Sequence, residues 1–169
     1  LAARRRPGRI IDLGTGSGYL LNLNGAGLTY NLGALAGGAN TVLFGSGTNM
    51  GVPACTYSIG ANGSNTVFAG RIMNGLDTVT VTKVGNGTLA LNGNNTYTGL
   101  TRVNEGVLEL AKTGGATAVN GNLTVGAGTA RLLASDQIVN TAAVTLLQAA
   151  SRLDLNTYSE TVASLTVTN

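Results

Sequence analysis

Residues 84–111 read VGNGTLALNGNNTYTGLTRVNEGVLELA. Two short runs in which apolar residues alternate with others, Thr88-Leu89-Ala90-Leu91 and Val107-Leu108-Glu109-Leu110, enclose a segment of Asn, Thr and Gly, and inside it lies a third run, Leu100-Thr101-Arg102-Val103. Alternation with a period of two marks a strand with one buried face, and the Asn/Gly clusters between the runs are turn formers. The stretch therefore predicts strand, turn, strand, turn, strand. The outer runs each follow a glycine, Gly87 and Gly106, so Gly-x-Leu-x-Leu recurs after 19 residues. A period of that length belongs to stacked architectures in which one repeat is roughly one turn of a coil.

The flanking sequence follows the same grammar less strictly. Residues 78–84 alternate, with Val79 and Val81 predicted inward and the pattern broken at Lys83 or Val84; Thr78, Thr80 and Thr82 form an outward threonine row. A single such row is too little for an ice-binding surface. Two segments 25 residues apart, Gly38-Ala39-Asn40-Thr41-Val42-Leu43-Phe44-Gly45 and Gly63-Ser64-Asn65-Thr66-Val67-Phe68-Ala69-Gly70, read as equivalent positions of successive coils. The irregular stretch between Gly45 and Cys55 is the candidate projecting loop. Downstream, short runs begin at Asn122, Ala130, Ala143, Arg152 and Ser164, at spacings that fit several strands per coil. Residues 141–152 are rich in Ala and Leu but are also assigned to strand. Asn92, Asn94, Asn95 and Asn104 are expected at corners, stacked as amide ladders. Seven to nine coils would make a rod of roughly 35 to 45 Å.

The central stretch resembles the passenger-associated transport repeat, also called the autotransporter-associated β-strand repeat, of large bacterial surface and secreted proteins. Its pattern is met at Gly85, Gly87, Thr88, Leu89, Leu91, Asn95, Tyr97, Gly99, Thr101, Val103, Gly106, Leu108 and Leu110. Leu100 and Arg102 depart from it, standing where glycine and threonine are common. The resemblance implies a right-handed parallel β-helix, an all-β β-solenoid with several short strands per coil, and a stalk or passenger role. Residues 1–19 are assigned to a basic N-terminal segment leading into the coil, and residues 20–169 to one solenoid without terminal caps.

A competing signal lies at residues 8–20, GRIIDLGTGSGYL, where a hydrophobic run, Asp12, and Gly14, Gly16 and Gly18 resemble the first motif of S-adenosylmethionine-dependent methyltransferases. That motif requires a helix after its glycine loop and a second acidic residue about 20 positions on. Here the following residues alternate and are broken by turn residues, and the next carboxylate is Asp77. The glycines are therefore assigned to solenoid turns.

Composition narrows the function. Charged residues make up 10% of the chain, well below the ~25% of typical soluble domains. Hydroxyls and amides must carry the polar surface, which suits an extracellular wall. The net charge of +3 invites a nucleic-acid reading, but Arg4, Arg5, Arg6 and Arg9 lie at one end, and beyond Arg9 six basic residues face seven acidic ones. The single cysteine, Cys55, allows no intrachain disulfide, and with no histidine neither His-based catalysis nor the commonest metal ligand is available. No cofactor or metal is assigned. No run approaches the ~18 apolar residues of a membrane span, and LAARRRPGRI lacks a signal-peptide core. The chain reads as a mature product or a piece of something longer. The carboxylates Asp77, Glu105, Glu109, Asp136, Asp154 and Glu160 look scattered, which argues against a polysaccharide lyase or hydrolase. The expectation is a non-catalytic, adhesin-like scaffold at the bacterial surface or secreted. The partners left open are copies of itself in a filament, the continuation of a longer chain, and surface glycans.

Overall fold

A computed structural model describes residues 8–22, 27–46 and 54–168. The chain winds as a coil that lays down parallel strands, seventeen among the described residues, and no helix. The first winding holds β1 (Ile10–Asp12), β2 (Tyr19–Asn22) and β3 (Thr29–Leu32), the second β4 (Ala34–Ala36), β5 (Val42–Ser46) and β6 (Cys55–Ile59), and the third β7 (Thr66–Phe68), β8 (Arg71–Met73) and β9 (Val79–Lys83). Later windings keep two regular strands each: β10 (Thr88–Leu91) with β11 (Thr101–Val103), β12 (Val107–Leu110) with β13 (Leu123–Val125), β14 (Thr129–Leu132) with β15 (Ala143–Leu146), and β16 (Arg152–Asp154) with β17 (Ser164–Val167).

Stacking these windings makes three faces. The first joins β1-β4 to β7-β10-β12-β14-β16 through a bridge between Gly37 and Phe68. The second begins as β2-β5-β8 and continues as irregular backbone, in which both Thr96 and Tyr97 N–H groups donate to the Ile72 carbonyl at 2.8 and 3.3 Å. The third is an unbroken seven-stranded sheet, β3-β6-β9-β11-β13-β15-β17. Seven strands are separated by six steps of ~4.8 Å, giving about six turns and roughly 29 Å, shorter than the expected rod.

On the first and third faces the parallel register carries each strand position onto the same position one winding later, whereas the β2–β5 pairing shifts between Leu21 and Asn22. On the first face Phe68, Leu91, Leu110 and Leu132 form one inner column, and Thr66, Leu89, Leu108, Ala130 and Leu153 another. On the third face Tyr30, Tyr57, Val81, Thr101, Leu123, Val144 and Leu165 run the length of the coil. Each buried Leu in such a column contributes on the order of 1.5–3 kcal/mol through its two neighbours, so the stability is nearest-neighbour burial.

The Gly14 region confirms the turn assignment. β1 ends at Asp12, whose Oδ1 accepts the Gly14 N–H at 2.9 Å, Gly14 takes φ 74°, and a strand rather than a helix follows. Residues 141–152 hold strand β15 and the start of β16, not a helix.

Three expectations are corrected, and the break left open between Lys83 and Val84 falls at Val84, just past the end of β9. The Asn-Thr-Val segments are not equivalent: Val42 lies on the second face opposite Arg71, whereas Val67 lies on the first face opposite Ala90. Similar strings serve different corners because the windings differ in length. Gly45 and Ser46 belong to β5 and Cys55 opens β6; the rest of the candidate loop, apart from Ala54, lies outside the described residues. Lys83 does not break the alternation; it continues the inward series of Val79 and Val81 and is 1% exposed. The corner asparagines form no stacked amide ladder among the described residues. Asn92 and Asn94 are exposed, and Asn95 acts singly, as described below.

Candidate functional site

The repeat residues all lie where one winding meets the next. Leu89 and Leu91 in β10 stand over Leu108 and Leu110 in β12, and all four are at most 1% exposed. Val103 fills the third-face interior between Lys83 and Val125. Tyr97 is fully buried, its hydroxyl sharing a hydrogen bond of 2.7 Å with Thr101 Oγ1; burial pushes its pKa up to about 12. Asn95, 2% exposed, spans three windings: its Oδ1 accepts the Ile72 N–H and its Nδ2 donates to the Ala118 carbonyl, both at 2.9 Å. It thus restores a hydrogen-bond path where the second face has lost its regular ladder. A Cβ at Gly85, Gly87, Gly99 or Gly106 would collide with carbonyl oxygens of the winding beneath: Gly60; Gly63 and Ser64; Val79; and Gly85 and Gly87, respectively. Gly85 and Gly106 also take φ 71° and 63°, which L side chains resist.

Lys83 is the charged group that sequence reasoning missed. It occupies the inner column Leu32, Ile59, Lys83, Val103, Val125, Leu146 and Val167. Its Nζ donates to the carbonyls of Gly85 (2.6 Å), Val84 (2.9 Å) and Glu105 (3.3 Å). Glu105 Oε2 in turn accepts the Gly85 N–H at 2.9 Å, so the ammonium and the carboxylate clasp one corner of two successive windings. Burial pushes the Lys83 pKa down to about 8, against the opposing pull of Glu105.

The carboxylates that look scattered in sequence are partly gathered by the register. Ala90, Glu109, Arg131 and Asp154 form one outward row on the first face. Arg131 lies 3.8 Å from Glu109, and its Nε donates to Asp154 Oδ2 at 2.8 Å. The hydrogen bond from Arg131 holds the Asp154 carboxyl below its usual range. Arg131 thus stands between two carboxylates in the row, one winding to either side. Glu160 plays a structural part: its Oε2 accepts the Gln137 and Ile138 N–H groups at 2.7 and 3.1 Å, while burial raises its pKa. Asp77 is buried and Asp136 is exposed at φ 57°. Among the described residues no three His, Cys, Asp or Glu side chains are grouped to hold a metal ion.

The third face carries a second outward row. Asn31, Ser58, Thr82, Arg102, Thr124, Thr145 and Thr166 align in register across all seven strands. Beside them Thr29, Thr56 and Thr80 begin a parallel row. The threonine row expected on one strand thus turns ninety degrees in meaning: it runs along the coil axis, at ~4.8 Å per step. Arg102, fourth of the seven, is its one charged member, and it takes no part in the ion pairs found among the described residues.

No curated protein and no solved structure matches the chain. Residues 81–110, from the inward Val81 through the buried Asn95 and Tyr97 to the returning Leu110, match the family model of the Passenger-associated-transport-repeat.

Proposed function

We propose that this protein is a non-catalytic structural segment of a bacterial cell-surface or secreted protein, a passenger or stalk whose shape is its function. The observation that carries the reading is the interior: side chains stacked in columns fill the coil, and the repeat residues are spent on joining one winding to the next. The match of residues 81–110 to a passenger-associated repeat supports the surface or secreted location. Antibody labelling of intact and lysed cells tests that location, and labelling seen only after lysis would overturn it. Turnover of any member of a panel of plant and bacterial polysaccharides would overturn the non-catalytic reading.

A further inference from the structure

The outward row of the third face is rich in hydroxyls and carries a single charge. Five of its seven members, Ser58, Thr82, Thr124, Thr145 and Thr166, bear hydroxyls, Asn31 adds an amide, and Arg102 sits at the centre. The contrast with the first face is direct. There the outward Arg131 is neutralised by Glu109 and Asp154, one winding to either side. At the same place in its own row Arg102 has Thr82 and Thr124 as neighbours, neither of which carries charge.

We propose that this row binds an acidic polysaccharide, a polyuronate lying along the coil axis, with one carboxylate on Arg102 and sugar hydroxyls on Thr82, Thr124 and Thr145. The guanidinium fork is matched to the two oxygens of a carboxylate, and threonine hydroxyls both donate and accept, as sugar hydroxyls do. Strand spacing repeats these groups at a step comparable to the advance of one pyranose unit in an extended chain. A second copy of the protein fits the face less well. Packing the row on itself about a two-fold axis through its middle brings Arg102 against Arg102, and like charges opposed at an interface disfavour it.

This proposal goes beyond the scaffold reading and fails separately from it. Affinity electrophoresis in gels containing polygalacturonate tests it, with mobility in the glycan-free gel as the reference for each variant. The wild-type protein is expected to be retarded by polygalacturonate and much less by its methyl-esterified, uncharged counterpart. Arg102→Gln should weaken binding by about tenfold or more, and the pair Thr82→Ala and Thr124→Ala several-fold, whereas Arg71→Gln on the second face should bind as wild type. Because Arg102 and Arg71 are exposed and Thr82 and Thr124 are half-buried on the outward face, circular dichroism should show every variant folded. No retardation of the wild type, equal retardation by the esterified polymer, or equal losses from Arg71→Gln and Arg102→Gln would overturn the proposal and leave the scaffold intact.

Discussion

Lys83 makes the stability of this solenoid depend on alkaline pH in a direction that can be worked out. Its folded pKa of about 8 lies below its ordinary value of 10.5, so burial disfavours the charged form. Below pH 8 the side chain is protonated in both states, and the full cost of the buried charge is present. Between pH 8 and 10 the unfolded chain still binds that proton while the folded one has released it, so unfolding becomes harder as pH rises. The slope approaches ~1.4 kcal/mol per unit, and the two units amount to roughly 2–3 kcal/mol. Above pH 10 the sign reverses, because Tyr57 and Tyr97 are held neutral by burial while their unfolded counterparts ionise. Stability should therefore peak near pH 10, where the two effects cross. Urea unfolding followed by far-ultraviolet circular dichroism from pH 7 to 11 measures this, with Lys83→Met as the control that removes the rising limb and keeps the falling one. A flat wild-type profile from pH 8 to 10, or an equal rise in Lys83→Met, would refute the reasoning. A flat profile would mean that the carbonyls of Val84, Gly85 and Glu105 compensate the burial fully, and an equal rise in Lys83→Met that the rise belongs to another group.

Three further outcomes rest on separate contacts. Leu110→Ala hollows an inner column between Leu91 and Leu132 and should cost about 2–5 kcal/mol by urea unfolding; because contacts are nearest-neighbour, hydrogen exchange should accelerate most in the adjoining windings. Asn95→Ala strips the Ile72 N–H and the Ala118 carbonyl of their partner at once, for a loss of about 2–4 kcal/mol, and a melting temperature within a degree of wild type would show that the clamp is dispensable. Gly85→Ala should destabilise well beyond the ~1 kcal/mol of a strained φ, whereas Gly114→Ala, at φ 79° with open space around it, should show only that cost; equal melting temperatures would remove the collision with the Gly60 carbonyl from the account.

What the sequence makes legible is whatever depends on neighbours along the chain. Leu89, Leu91, Leu108 and Leu110 are readable because period-two alternation and a leading glycine recur after 19 residues. Lys83 is not readable, since a lysine ending a strand normally faces water; the three carbonyls that hold it come from Val84, Gly85 and the next winding's Glu105. The Glu109–Arg131–Asp154 row is likewise invisible, because its members stand 22 and 23 residues apart and only the register unites them. The failed pairing of Val42 with Val67 has the same origin. Inner partners are 19 residues apart at Leu91 and Leu110 but 23 apart at Phe68 and Leu91, so no constant offset maps one winding onto the next.

This division has a consequence for where selection can act in such a molecule. An inward substitution is felt by the windings on both sides, since each column is closed by contact above and below, so inner positions are constrained to aliphatic shapes or to a fully satisfied group such as Asn95. An outward position meets only strand propensity, and threonine satisfies that as well as any residue. A row of threonines therefore needs no function to explain it, and what sets Arg102 apart from Arg131 is that no carboxylate stands on either side of it in its row. If Arg102 answered only to folding, Arg102→Thr would change nothing except net charge. The reading given to the third face requires instead that Arg102→Thr melt as wild type and yet lose polyuronate binding, and loss of both or of neither would remove the distinction between the two rows.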